Sequence, residues 1–389
     1  MDTAPAPVPD AVLAAPPRRR LRVRDLVWPG LLSLAAIGAV IAFTYEPGAF
    51  AAVRASFHPG VFALAVLLLG AQFVIASLRL RHISRRALGF RASFRSLLTW
   101  EFLSAVTPSA VGGGPFAAVF IARDQKIPLG QVSAIMLFSM LMDQIWFATA
   151  IVVLYAAALW LPVFPTAFGA ASIGPVALYF GAMLAWTSFF AYATLVRPEL
   201  IGRLARWIAH WKVLRRFEER VREETSKMQR QARVLRGQPA SFYLAGYGYT
   251  ALVWLCRYGV VLLVALSVAP GIRWVLFYLR TAALWLVGLV MPTPGGSGGM
   301  EGLFMLFLAP LLPSGFAGPV LLGWRLLAYY AVLAVGLVVA GHVVRELLFG
   351  APRPAAGVER TNAAGAPSPA PPAEAVSPAE AVSPAGPAP

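Results

Sequence analysis

Six ionisable side chains interrupt apolar stretches of this chain: Glu101, Asp143, Arg257, Arg280, Glu301 and Arg325. At the middle of a bilayer each costs at least about 2.5–3.5 kcal/mol, so each should face the protein interior and have a partner. Three acids against three arginines allow two kinds of chemistry. One is a set of buried ion pairs that holds helices together. The other is a polar cavity that cradles a charged headgroup, with Arg257, Arg280 and Arg325 as phosphate contacts, since the planar guanidinium fork matches phosphate oxygens.

A second signal lies between the last three of these residues. Met291-Pro-Thr-Pro-Gly-Gly-Ser-Gly-Gly-Met-Glu301 places two prolines, four glycines and a carboxylate inside a long apolar run. Pro292 and Pro294 lack the amide proton a helix needs, and Gly295 and Gly296 carry a large backbone entropy cost within one. In lipid, such a break survives only where it is buried in protein or lines a wet cavity. A weaker copy, Thr107-Pro-Ser-Ala-Val-Gly-Gly-Gly-Pro115, contains Pro108, Gly112 and Gly113 and follows Glu101. Broken hydrophobic segments at corresponding places in two halves point to a transport site near the bilayer midplane. Half-helix N-termini after Pro115 and Gly299 would add backbone amides and a positive dipole end. Glu301 at such a terminus equally suits a capping carboxylate, worth about 1 kcal/mol. The glycine pairs 295/299 and 298/302 also suit close helix packing alone.

Other chemistries find little support. Gly295-Gly-Ser297-Gly-Gly299 matches G-x-S-x-G literally, but the strand–turn–helix that would present Ser297 as a nucleophile is not expected here. The histidines, His58, His82, His210 and His342, are scattered and form no H-E-x-x-H, so no metal site and no cofactor are expected. No G-x-x-x-x-G-K-[ST] motif occurs, so active transport would draw on an ion gradient or a partner. A single cysteine, Cys256, rules out an intrachain disulfide.

The elements that must position these residues follow from composition. The chain has 389 residues, 59% of them hydrophobic and 13% charged, with a mean hydropathy of +0.69. A soluble domain cannot bury that much apolar surface, so an all-α polytopic membrane protein is expected. The formal net charge of +16 clusters at the ends of apolar runs. It therefore reads as topology and anionic-lipid contact rather than nucleic-acid binding. Residues 1–24 form a basic tail with Arg18, Arg19, Arg20, Arg22 and Arg24, expected to be disordered in its Ala/Pro-rich first part. The membrane domain spans 25–348, and 349–389 is a low-complexity Ala/Pro-rich tail in which Ala-Glu-Ala-Val-Ser-Pro occurs twice.

Apolar runs at 27–45, 60–78, 131–161, 172–196, 241–268 and 318–341 predict about six full transmembrane helices. Dense basic loops at 79–95 and 197–240 belong on the cytoplasmic side. Parity satisfies this only if 96–122 and 274–312 are re-entrant pairs that enter from opposite faces, with both termini cytoplasmic. Within 197–240, apolar residues recur at helical spacing between arginines, predicting an amphipathic helix that senses lipid or merely links the halves.

The two Pro/Gly breaks, taken with Arg123 and Pro128-Leu-Gly130, resemble the membrane domain of lysylphosphatidylglycerol synthases, also found alone as the flippase-like UPF0104 membrane proteins. The resemblance covers roughly residues 25–348 and implies a bundle with two re-entrant elements that moves lipids or lipid-linked glycans between leaflets. It carries over Pro108, Gly112, Gly113, Asp143, Pro292, Pro294, Gly295, Gly296 and Glu301. No aminoacyl transferase domain is expected after about residue 350, so lysyl transfer is not expected. Relatives often carry an arginine soon after the first Gly-Gly, where this chain has Ala117 and Ala118; headgroup contact is therefore expected mainly from the second motif. The expectation is a lipid or glycolipid translocase of a bacterial inner membrane, with membrane lipids (anionic phospholipid or glycolipid headgroups) as partners, no nucleic acid, and a homodimer or a partner enzyme open. The alternative is a non-transporting scaffold that presents lipid to a separate enzyme.

Overall fold

The computed structural model describes residues 46–106, 114–165, 173–197, 218–291 and 293–339, with scattered positions of 31–42 and residue 341. Among these residues all regular structure is helical, and the chain is an all-α polytopic membrane protein. After a short helix, α1 (Ala49–Ala55), come α2 (Pro59–Ile83), α3 (Phe90–Val106), α4 (Gly114–Asp124), α5 (Leu129–Ala158) and α6 (Ile173–Ala191). The second half contains α7 (Glu218–Arg236), α8 (Ala240–Leu266), α9 (Trp274–Gly288), α10 (Gly299–Phe307), α11 (Ala317–Arg325) and α12 (Val332–Val339).

Among the described residues, four helices are long and apolar enough to cross a membrane: α2, α5, α8, and α11 continued into α12. At about 1.5 Å per residue, the 25 residues of α2 exceed a hydrocarbon core of about 30 Å. Their ends follow local chemistry. Pro59 occupies the first turn of α2, where its missing amide costs nothing. Arg85 and Arg86, at φ 54° and 63°, turn the chain left-handed just beyond its end. Pro128 and Pro239 immediately precede α5 and α8.

The broken elements look different. In the first, α3 packs against α4; in the second, α9 packs against α10. With 15 and 9 residues, α9 and α10 are too short to cross alone, as a re-entrant pair requires. Four of the six expected full spans are the helices α2, α5, α8 and α11–α12. Most of 27–45 lies outside them, and the run 172–196 is the 19-residue α6 followed by a π-helical turn, Tyr192–Val196.

Both halves therefore have the same order: a long helix, a broken pair, a long helix. Their leading helices run antiparallel and pack along their length. The His58 amide donates to Ser267 O at one end (2.7 Å), and His82 Nε2 donates to Phe242 O at the other (2.9 Å). That is the arrangement of an inverted repeat. One large core unites α5, α8, α9, α10 and α11, with Phe277, Phe304, Phe307 and Trp324 fully buried. Outward-facing Leu67, Leu178, Leu244 and Val338 stay exposed, as apolar residues facing lipid should. Of the basic segment, 198–217 lies outside the described residues; α7 packs along α5 and buries Thr225, Met228 and Leu235, with the Tyr243 hydroxyl donating to Leu235 O and Arg236 O. The expected tails, 1–24 and 349–389, lie outside the described residues.

Candidate functional site

The second break begins where α9 ends at Gly288. Pro294–Gly296 makes a single 3-10 turn in which Gly295 has φ 60° and ψ 14°, and Gly296 and Gly298 have φ 67° and 84°. These are left-handed conformations that glycine adopts without a Cβ penalty. Gly295 has a second reason to be glycine: a Cβ there would run into the Tyr329 ring. The turn restarts the helix as α10, and Glu301 secures the restart. Its Oε2 accepts from the Gly298 amide (2.7 Å), so it is the capping carboxylate the sequence allowed. Its Oε1 also accepts from Arg325 Nε at 2.8 Å and lies 2.7 Å from the second guanidinium nitrogen. With side-chain exposures of 1% and 5%, this ion pair is sealed inside the protein, joining α10 to α11.

Glu101, on α3, pairs with Arg257, on α8, at 2.9 Å. This pair crosses from the first half of the chain to the second and is partly open, with side-chain exposures of 33% for Glu101 and 21% for Arg257. The Arg257 guanidinium lies over two indoles that meet edge to face, 5.0 Å from the Trp254 centroid and 5.2 Å from that of Trp285. Arg325 lies 5.5 Å from Trp324 and 5.2 Å from Tyr329. Desolvated cation–π contacts of this kind contribute up to about 2 kcal/mol.

These groups surround one cavity of about 310 Å³. Helices α2, α3, α8, α9 and α11 contribute to its wall, with Glu101, Arg257, Arg325, Gly295, Gly296, Trp254, Trp285, Trp324, Tyr329 and Gln72 among the lining residues. The glycine turn packs against α3, so the second break sits against the helix that carries Glu101. The volume is at the lower end for ligand cavities, the size of a headgroup rather than of a whole lipid.

Asp143 and Arg280 do not line the cavity. Asp143 Oδ1, on α5, accepts from Arg79 at 2.6 Å and from Trp254 Nε1 at 2.9 Å; it touches the site only through the indole that stacks on Arg257. Arg280 donates to the carbonyls of Pro162 and Phe307, so it caps the C-terminal end of α10, and among the described residues no carboxylate pairs with it. A cation there opposes the negative end of the helix dipole. Pro108, Gly112, Gly113 and Pro292 lie outside the described residues, and Pro294 opens the 3-10 turn. Ser297 is fully buried and its neighbour is the Tyr329 hydroxyl. Among the described residues no cluster of three or more His, Cys, Asp or Glu side chains suits a metal ion.

Sequence reasoning missed three participants. Arg79 belongs to α2 and is buried, whereas the run of arginines suggested a solvated loop. The tryptophans carried a readable signal, since Trp254 precedes Arg257 by three residues and so shares its helix face. Gln72 was visible as a lone amide within the apolar run 60–78.

No solved structure matches the chain. A UPF0104 membrane protein of Archaeoglobus fulgidus is 25% identical over 287 residues, covering 71% of this chain and 84% of that protein. The family described as the lysylphosphatidylglycerol synthase TM region matches residues 30–336, a range that includes both breaks and every charged group of the cavity. The chain belongs to the family of the lysylphosphatidylglycerol synthase TM region.

Proposed function

We propose that this integral membrane protein moves lipids or lipid-linked glycans between the leaflets of a bacterial inner membrane, with both termini cytoplasmic and the cavity as the headgroup site. The observation that carries this reading is the Glu101–Arg257 pair: charged, partly open, and shared between the two inverted halves at the wall of a headgroup-sized cavity. An inverted repeat with broken helices at its interface supports alternating exposure of such a site. A translocated headgroup competes for Arg257 with its phosphate, and the two indoles it lies over keep the guanidinium in place as Glu101 lets go. The sealed Glu301–Arg325 pair holds the glycine turn and supports the site from behind.

The test is reconstitution of the purified chain into vesicles carrying a fluorescent phospholipid, followed by chemical quenching of the outer leaflet. The expected result is protein-dependent loss of the inner-leaflet signal, reduced at least about tenfold in Arg257→Ala, which removes a charge-assisted contact. Transport at the wild-type rate in Arg257→Ala and in Glu101→Gln would refute the site. No transport by wild type, together with stoichiometric co-purification of an enzyme, would favour a scaffold.

A further inference from the structure

We propose that the glycine turn of the second break holds an alkali cation on the hydroxyl oxygens of Thr293, Ser297 and Tyr329, completed by backbone carbonyls, and that transport draws on the gradient of this ion. The use of the ion rests on the translocase reading above; the site itself does not. Thr293 Oγ1, Ser297 Oγ and the Tyr329 hydroxyl are each buried without a hydrogen-bond partner among the described residues. Ser297 is fully buried and Tyr329 is 6% exposed. Their two hydroxyls are neighbours and yet do not bond to each other. Thr293 opens the same turn, its carbonyl accepting from the Gly296 amide, and the Tyr329 oxygen lies 3.1 Å from where a Cβ on Gly295 would stand. Buried hydroxyls without partners carry an uncompensated desolvation cost. Alanine or valine would fill these positions without it.

Thr293 and Ser297 are not among the residues that line the cavity, so this ligand sits behind the headgroup and is separate from it. Its charge follows from its neighbours. An anion would take the N-terminus of α10, but the Glu301 carboxylate already occupies that place. A divalent cation asks for carboxylate oxygens, and both of those on Glu301 are engaged, one by the Gly298 amide and one by Arg325. A monovalent cation takes neutral oxygens, the hydroxyls and carbonyls found where a half-helix ends in an unwound segment. Helix α9 ends at Gly288, with its last carbonyls short of intrahelical donors and the negative end of its dipole toward the turn. Glu301 and Arg325 neutralise each other, so no unbalanced guanidinium repels the ion. Tyr329 connects the site to the rest of the machine. It belongs to a π-helical segment, Leu326–Ala331, between α11 and α12, a conformation frequent at functional sites, and it also lines the cavity. An ion that ties Tyr329 to the turn therefore fixes part of the cavity wall, and ion and headgroup each alter the affinity for the other.

The test is the unfolding temperature of the purified full chain in detergent, with sodium chloride replacing choline chloride at constant ionic strength. Wild type is expected to gain about 5–10 °C, saturably, at a sodium concentration about a hundredfold above half-saturation. Ser297→Ala and Thr293→Val should each need roughly tenfold more sodium for half the effect, the scale of one lost polar contact. In choline their unfolding temperatures should stay level or rise, because an unpartnered hydroxyl has gone. A merely structural hydroxyl would do the opposite, lowering stability in choline and leaving the sodium response alone. An equal response to potassium would make the site one for either alkali ion and supports it as well. No response to either ion in wild type, the result expected if ordered water fills the turn, would overturn the site. Unchanged half-saturation in both variants would do so too, and the wild-type titration decides even if the variants fail to fold. Vesicle transport at the same rate with and without a sodium gradient would overturn the coupling. A missing sodium response beside intact vesicle transport would sink this inference and leave the translocase reading standing; saturable sodium stabilisation of a protein that moves no lipid would do the reverse.

Discussion

The two ion pairs joining acid to guanidinium around the cavity have the same chemistry and different burial, and the difference is measurable. Glu301 and Arg325 are 1% and 5% exposed. Glu301→Ala leaves the buried Arg325 guanidinium without this carboxylate and the Gly298 amide without its acceptor. Breaking a buried pair from one side costs about 3–5 kcal/mol. At roughly 2–4 °C per kcal/mol for a chain of this general size, the unfolding temperature in detergent should fall by about 10 °C. Replacing both partners by leucine removes both charges and should recover most of that loss. In Glu101→Gln and Arg257→Gln the remaining partner still reaches the cavity. Exposed or partly hydrated pairs contribute about 0–1 kcal/mol, so the unfolding temperature should move by only a few degrees while transport collapses. Unfolding curves for the two single variants and the double variant of each pair, beside the vesicle assay, give the comparison. A Glu301→Ala protein as stable as wild type, or a leucine pair no better than either single change, would refute the claim that burial separates the two roles.

Other outcomes follow from the same geometry. Gly295→Ala, which meets the Tyr329 ring at a left-handed φ, should lower stability by about 1–3 kcal/mol, and adding Tyr329→Leu should relieve the steric share; unfolding temperatures of the single and double variants report it. Arg79→Leu should leave the Asp143 carboxylate without the guanidinium that neutralises it, while Trp254 still donates to it, and lower both stability and transport, because the acceptor that positions the indole over Arg257 becomes an uncompensated charge; Asp143→Asn should be milder, since an amide oxygen still accepts from Trp254. In a Cys256→Ser background, a cysteine at Ala328, which lines the cavity, should react with a small thiol reagent, and one at the fully buried Ser297 should not; reaction at 297 alone would reverse the assignment of wall and interior.

Much of this fold is written in apolar run lengths and prolines. The runs 60–78, 131–161, 241–268 and 318–341 correspond to α2, α5, α8 and α11–α12 because a spanning helix must satisfy every backbone group itself, and prolines or glycines sit at most of their ends. The acids and arginines within those runs were equally visible, since a lone charge in apolar sequence has to be explained. Their partners were not. Helical periodicity places Arg257 on a face of α8 and says nothing of which acid lies opposite, and Glu101 lies 156 residues away. Arg79 was misplaced because a cluster of arginines looks like a loop, whereas its long stem lets the first of them stay within the helix. Arg280 looked like a phosphate contact, but carbonyls at the end of α10 compete for a guanidinium as well as a ligand does. Cavities lie between elements and leave no mark in any one of them; only Gln72, an amide with nothing local to bind, hinted at one.

The spacing of the ion pairs also constrains how the chain is made. Arg79 and Asp143 are 64 residues apart, Glu301 and Arg325 are 24 apart, and Glu101 and Arg257 are 156 apart. At about 5–20 residues per second of synthesis, Glu101 waits roughly ten to thirty seconds for its guanidinium. A carboxylate does not settle in hydrocarbon for that time, so α3 must stay at the membrane interface, or beside an insertion factor, until α8 has arrived. The pair shared between the halves is therefore also a checkpoint of biogenesis: the first broken element can take its final depth only when the second half exists to receive it. A ribosome stalled before Arg257 should leave Glu101 accessible to water-soluble reagents, and release past Arg257 should bury it.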